Sequence, residues 1–199
     1  MSVSATVERQ VPNDAAEVRF AVSKERSGRA AALRIVATRV QAVIAASQRV
    51  AGVGAGDVTT GSISVRRVKR GERPVYRASE GVTVVTHSPE AAGDLVAAGV
   101  AAGATSTRGP RFFVGDRETA YNAALVEALE KAKTKAGLLA AAAGATLGPA
   151  ITIVEGGGVT AFSPPNATEA PAGKDVPAPP VKPGKSTVEA TVAATFALE

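Results

Sequence analysis

The sequence predicts an α+β fold, with an antiparallel sheet or sheets of hairpins and three helices packed mainly on one face. Short segments of alternating apolar residues occur in pairs, which is typical of hairpins. Three longer segments have apolar residues at helical spacing, and each is followed by a glycine. The last segment of the chain alternates strictly. The predicted order is β-β-α-β-β-α-β-α-β-loop-β, with the helices covering the sheet.

Length and composition favour one domain over residues 1–199, with a mobile Pro/Gly-rich insertion at about 156–186. A chain of 199 residues can bury about 70% of its unfolded surface and needs no covalent staple. It has no cysteine and one histidine, His87, so disulfides, thiolate sites and zinc sites built on several histidines are excluded. Without tryptophan and with few aromatics, the chain is poorly supplied for base stacking.

The N-terminal third predicts a hairpin followed by a helix. Residues 3–11 and 16–24 alternate as strands, and Pro12, Asn13 and Asp14 between them are typical turn residues. We therefore expect these two strands to pair with each other. A helix capped by Ser27 is predicted to run to about Ala51, with Gly52 as its left-handed C-terminal cap.

A second strand pair is predicted over 58–68 and 75–87, with Gly71 as the turn residue. Gly61 and Gly81 interrupt the two strand patterns, which indicates a bulge or a close approach of the two backbones.

Two further helices and a strand are predicted in the middle of the chain. Ser88 is expected to cap a helix that ends at Gly103, and a strand follows over about 104–114. Asp116 is expected to cap a third helix that reaches Ala143. One side of this helix is predicted to carry Tyr121, Leu125, Ala128, Ala132, Leu139 and Ala143.

The chain is predicted to end with a strand at 151–155, the insertion, and a final strand from Ser186. The apolar set of the final strand is expected to face the core, and Thr187, Glu189, Thr191 and Thr195 to face outward. We also expect this strand, tethered by the long insertion, to pair with the sheet edge of a neighbouring subunit. The inward set is Val188, Ala190, Val192, Ala194 and Phe196.

The start of the chain shows no signal peptide, and no membrane-spanning segment is predicted. No run of 18 or more uncharged apolar residues is present, so no transmembrane segment is predicted. The start, MSVSATVERQ, lacks the features of a signal peptide, which leaves a cytoplasmic protein or one whose signal has been removed.

The most basic segment lies around the predicted turn at Gly71. DNA or RNA recognition calls for cations on one face together with aromatics, and Tyr76 is the only aromatic here. Hairpin tips carry such charges to stay soluble and to block edge pairing. We predict no specific nucleic-acid binding, and only weak contact with anionic envelope polymers, through Arg66, Arg67, Lys69, Arg70, Arg73 and Arg77.

No catalytic constellation, metal site or cofactor-binding motif is found. His87 has Ser88 and Glu90 beside it, but both residue types suit helix capping. The competing hypothesis is a small-molecule or enzymatic site built from Asp14, Tyr76, His87 and nearby arginines, and a pocket that gathers them would favour it.

Several segments, in this order, resemble the SIMPL-domain family, which includes bacterial periplasmic immunogenic proteins. They are VERQVPNDAAEVRFAV, AGVGAGDVTTGSISV, VYRASEGVTV, AALVEALEKAKTKAGLLAAAAG and LGPAITIVEGG. Two departures are Asn13, inserted between proline and aspartate, and the proline-rich late loop.

The resemblance implies an α+β fold with no accepted enzymatic activity and no catalytic residues to carry over. Bacterial members are usually exported, and they are linked to envelope and oxidative-stress phenotypes. Some assemble into ring- or channel-like oligomers. The function expected from the resemblance is a non-enzymatic, self-assembling envelope protein, a homo-oligomer without cofactors, located in the periplasm or outside the cell.

Overall fold

The computed structural model describes residues 1–71, 73–156 and 180–199, and most of the predicted insertion lies outside them. The chain divides into two compact units. The terminal unit comprises Met1–Pro12, Val114–Ser163 and Lys185–Glu199, and the central unit comprises Asn13–Phe113 and Pro164–Gly184. The α+β class is confirmed, with antiparallel sheets and three α-helices among the described residues. That the two units act as one domain stays a prediction.

The predicted order of elements is confirmed, except that the third predicted strand is divided in two. The bounds are β1 (Ser2–Pro12), β2 (Ala15–Arg26), α1 (Arg29–Ser47), β3 (Val58–Thr60), β4 (Ser64–Arg70), β5 (Arg73–Thr86), α2 (Ala92–Ala101), β6 (Ser106–Phe113), α3 (Arg117–Ala142), β7 (Leu147–Gly156) and β8 (Lys185–Leu198).

The hairpin predicted from the first two strands is wrong. β1 pairs with β8 along its whole length, from Ser2 opposite Thr195 to Pro12 opposite Lys185, while β2 pairs with β5 and β6. Alternation determines which face of a strand is buried and leaves the identity of its partner open. The residues predicted as a hairpin turn therefore link the two units.

Asn13, which the sequence comparison with the family marked as an insertion, is a buried anchor. Its side-chain amide donates to the carbonyl of Pro183 at 2.7 Å, and its backbone N–H donates to the carbonyl of Gly184 at 3.2 Å. A buried polar group with such partners avoids the cost of an unmade hydrogen bond.

The terminal unit is a three-stranded sheet in the order β1-β8-β7, with α3 packed mainly on β1 and β8. The predicted faces of β8 are confirmed, because all five inward residues are buried. The prediction that β8 pairs with a neighbouring subunit needs correction. β8 lies between β1 and β7, so both of its edges are already occupied.

Helix α3 buries small residues, and its predicted apolar side is partly wrong. Asp116 caps it as predicted, accepting from the Thr119 N–H at 2.9 Å. Leu139 is 48% exposed and Ala143 is also exposed. A four-residue step advances by roughly 40° beyond one full turn, so the buried stripe drifts around the helix and has left Leu139 by the last turn. That stripe is Tyr121, Ala124, Ala128, Ala132, Ala136 and Ala140.

The central unit has a sheet in the order β3-β5-β2-β6, with β4 also paired to β5. Helices α1 and α2 pack on one face, over a valine-rich core. The bulge predicted at Gly61 and Gly81 is present. Thr60 pairs with Val82 and Ser64 with Ser79, so four steps on one strand oppose three on the other. This bulge divides the predicted strand into β3 and β4.

The helix ends of the central unit differ from two predictions. Gly28, not Ser27, occupies the N-cap of α1. Ser88 occupies the N-cap of a short 3-10 helix, Pro89–Ala91, that precedes α2, but its side chain makes no capping hydrogen bond. Its backbone N–H donates to the Thr86 hydroxyl at 3.1 Å. Gly52 is left-handed as predicted, with φ of 74°. A Cβ at Gly52 would lie 2.4 Å from the Ser88 nitrogen, so this turn requires glycine.

Candidate functional site

The three polar residues of the hypothetical enzymatic site do not meet. Tyr76 and His87 are eleven residues apart along one extended strand and its end, which separates them by roughly 36 Å. Asp14 lies at the His87 end of the sheet, because Ala16 pairs with Thr86. A site that uses Tyr76 together with the other two is therefore not formed.

His87 has a structural partner that the sequence did not reveal. Its Nε2 lies 3.2 Å from the Asp57 carboxylate, which also accepts from the Gly54 N–H at 2.8 Å. The Gly54 hydrogen bond, with a smaller contribution from His87, lowers the pKa of Asp57. This pair joins the turn before β3 to the end of β5. Among the described residues, no group of three or more acidic or histidine side chains is placed to hold a metal ion.

The register of the β4–β5 hairpin sorts its six cations onto two faces. Val65 lies opposite Ala78, which is buried in the core beneath α1. Residues two positions along share that face, so Arg67, Lys69 and Tyr76 lie on the helix side. Four arginines lie on the opposite side, which we call the open face: Arg66, Arg70, Arg73 and Arg77.

Glu25, at the end of β2, holds two of these four arginines. Its carboxylate accepts from Arg70 at 2.7 Å and from Arg77 at 2.8 Å. These hydrogen bonds lower the pKa of Glu25. Arg66 and Arg73 have no ion pair within the described ranges, which exclude their neighbour Glu72. Sequence inspection missed Glu25 because it precedes Arg70 by 45 residues, and only the β2–β5 register brings it near.

A second surface feature is the outer strand of the terminal sheet, β7. Ile151 is 67% exposed, and Ile153 and Val154 are each 53% exposed. Because α3 lies over β1 and β8, it leaves β7 largely uncovered. The strand's only charged residue, Glu155, accepts a hydrogen bond from the Tyr121 hydroxyl at 2.7 Å. The sequence predicted a strand here but gave no sign of its exposure.

One helix of the described chain, α1, is long and apolar enough to cross a membrane, with a mean hydropathy of 1.3. This is weak evidence of a span, because core helices of ordinary domains also have such composition. Val36, Val40 and Val43 of α1 are buried against the central sheet, which accounts for its apolar character.

Comparison with known proteins identifies the family of this chain. A search of curated proteins finds no match to the chain. The model of one family, SIMPL, described as a protein of unknown function (DUF541), matches residues 1–196. Since that match covers nearly the whole sequence, the chain belongs to the SIMPL family.

Proposed function

We propose that this SIMPL protein is a non-enzymatic, self-assembling protein of the bacterial cell envelope, and that copies join through strand β7. The observation that carries the proposal is the long, apolar and exposed outer strand of the terminal sheet. An edge strand presents unpaired N–H and C=O groups, which invite pairing with another chain.

The other sheet edges carry the usual protection against such pairing. β1 has Glu8 and Arg9, β6 has Arg108 and Arg111, and β4 has four basic residues. β3 is only three residues long. Charged or very short edge strands discourage association. β7 has Pro149, Glu155 and register shifts between Leu147 and Thr152, but neither lysine nor arginine in its ten residues. Its regular part, residues 152–156, is therefore the edge at which association is least opposed.

Self-pairing of β7 is also favoured by its sequence. An antiparallel pair centred on Thr152 places Ile151 opposite Ile153 of the second copy, and Ala150 opposite Val154. This register requires the free edge of β7 to pair regularly between Ala150 and Thr152, where its other edge has a register shift against β8. Cross-strand pairs of β-branched residues each contribute about 0.2–1 kcal/mol. The same register places Glu155 opposite Pro149, so the two carboxylates do not face each other. This symmetric contact is isologous and closes a dimer.

Two further observations support a role without catalysis. The conspicuous polar residues already serve the fold, with Asp57 and His87 joining two segments and Asp116 capping α3.

The placement in the envelope follows from the family resemblance alone, and a cytoplasmic protein is its alternative. Fractionation of cells that express the native gene tests this placement, and a signal confined to the cytoplasm would contradict it.

The assembly is tested by sedimentation velocity over a concentration series. We expect at least a dimer, and we expect Ile153→Lys to shift the population to monomer, because a lysine on an edge strand discourages pairing with another chain. Leu138→Lys on α3 is the matched control. It also replaces an exposed apolar residue, 69% exposed, but it leaves β7 intact. A monomeric parent at high micromolar concentration, or equal assembly of both variants, would contradict the proposal.

A further inference from the structure

We propose that the open face of the β4–β5 hairpin binds a linear anionic polysaccharide, with Arg66 and Arg73 as the cations that have no ion pair among the described residues and Ser64 and Ser79 as neighbouring hydroxyls. The inference concerns the central unit and does not depend on pairing through β7.

The arginines of this face lie in directly opposed pairs. Arg66 is opposite Arg77, and Arg70 is opposite Arg73. Directly opposed like charges destabilise a sheet. Glu25 supplies one negative charge to the four, which leaves 4 − 1 = +3 among these residues. The two pairs are four residues apart along β4, or roughly 13 Å. Repulsion between these arginines lowers the stability of the isolated hairpin. An anionic polymer bound along the strand would reduce this repulsion.

Glu25 also makes part of this face rigid. Its carboxylate bridges Arg70 and Arg77 while only 21% of its own side chain is exposed. Beside this bridge lies a polar surface hollow of about 380 Å³, a size at the lower end of small-molecule sites. Its walls are Ser23, Lys24, Glu25, Arg26, Arg70 and Arg77. The Nε side of both guanidiniums is already occupied by Glu25. A planar guanidinium has five N–H donors, so each retains N–H groups for a carboxylate or a sulfate of the polymer.

The neighbouring residues favour a carbohydrate over a nucleic acid. Ser23, Ser79 and Ser64 form a row across three strands, next to Arg77 and Arg66. The hydroxyls of Ser64 and Ser79 are 2.9 Å apart, and each has hydrogen-bonding capacity left for sugar hydroxyls. Single-stranded nucleic acids are bound by stacking on aromatics. The only aromatic of the hairpin, Tyr76, packs on the core side instead.

The experiment measures binding of fluorescent alginate oligosaccharide, a linear polyuronate, by anisotropy in a salt series. Neutral dextran and single-stranded DNA are the comparison ligands. The test variant, Arg66→Ala with Arg73→Ala, removes two charges from the open face. Its control, Arg67→Ala with Lys69→Ala, removes two charges from the helix side of the same hairpin. We expect the test variant to bind alginate at least tenfold more weakly, and the control to lose about twofold.

Stability separates lost binding from misfolding. Because the test variant relieves like-charge pairs, it is expected to melt at or above the temperature of the parent while binding more weakly. Three outcomes would overturn the proposal. The first is an equal loss of alginate affinity in both double variants, which would mean that only net charge matters. The second is tighter binding of DNA than of alginate, and the third is binding of dextran as strong as that of alginate. Ile153→Lys lies in the other unit, so the result of the assembly experiment does not decide the result of the alginate-binding experiment.

Discussion

Two helices each carry an interior glycine, and the structure predicts opposite effects for the same glycine-to-alanine change. In α3, a Cβ at Gly137 would meet nothing within 4 Å. In α2, a Cβ at Gly99 would lie 2.3 Å from Cε1 and 2.4 Å from Cζ of Phe20. Alanine is favoured over glycine in a helix interior by about 1 kcal/mol. Gly137→Ala is therefore expected to stabilise the protein by up to about 1 kcal/mol.

The same gain at Gly99 is outweighed by a clash. Carbon atoms pack at about 3.5 Å or more, so the Phe20 ring or the helix has to move by about 3.5 − 2.3 = 1.2 Å. Phe20 is 2% exposed and packs within the core of the central unit, which leaves its ring little room. Overpacking of this kind costs about 1–3 kcal/mol. Because the ring has so little room, we take the upper cost of about 3 kcal/mol and subtract the helix-propensity gain of about 1 kcal/mol. Gly99→Ala is therefore expected to destabilise the protein by about 2 kcal/mol.

Tyrosine emission allows each unit to be followed separately. The chain has no tryptophan and two tyrosines, Tyr76 in the central unit and Tyr121 in the terminal unit. Urea unfolding of Gly99→Ala in a Tyr121→Phe background reports the central unit through Tyr76. Gly137→Ala in a Tyr76→Phe background reports the terminal unit. A neutral or stabilising Gly99→Ala would show that α2 does not pack against Phe20 as described.

Features that depend on neighbouring residues could be predicted from the sequence. The Asp116 cap needs only the N–H of Thr119 three residues on, and the faces of β8 follow from its alternation. The bulge at Gly61 was signalled by two glycines in paired strands. Each of these features is determined by local geometry, so a single sequence carries enough information.

Features that depend on distant residues could not be predicted. β1 alternates as clearly as β2, but its partner, β8, starts more than 170 residues later. The bridge from Glu25 to Arg70 and Arg77 requires the register of β2 with β5. The exposure of β7 depends on where α3 crosses the sheet, and the run of small residues that determines this crossing lies on another element. The partner of a strand and the position of a helix over a sheet are decided by tertiary packing. Neither can be read from the periodicity of a single strand.

Three further predictions concern single side chains. Phe196→Ala removes a ring that is 4% exposed and packs on Val3 and Ala132, so chemical denaturation should show a loss of about 3–5 kcal/mol; a variant as stable as the parent would mean that the faces of β8 are assigned wrongly. Asp116→Ala should lower the unfolding free energy in the same assay, whereas Asp116→Asn, which keeps the accepting oxygen, should lower it less, and equal losses would exclude the cap as the cause. The last prediction is a pH dependence at Glu25, whose hydrogen bonds to Arg70 and Arg77 lower its pKa from the usual 4.5. The folded state favours the ionised form of Glu25 more than the unfolded state does. The stabilisation that this gives the fold is fully present above pH 4.5 and is lost as the pH falls through the lower, folded pKa. The parent should therefore exceed Glu25→Gln in unfolding free energy at neutral pH, and the difference should shrink as the solution is acidified. Because both arginines are exposed, it should also shrink as salt is added. A difference that does not shrink as the pH falls from neutral into the acid range would show that the bridge to the two arginines does not stabilise the fold.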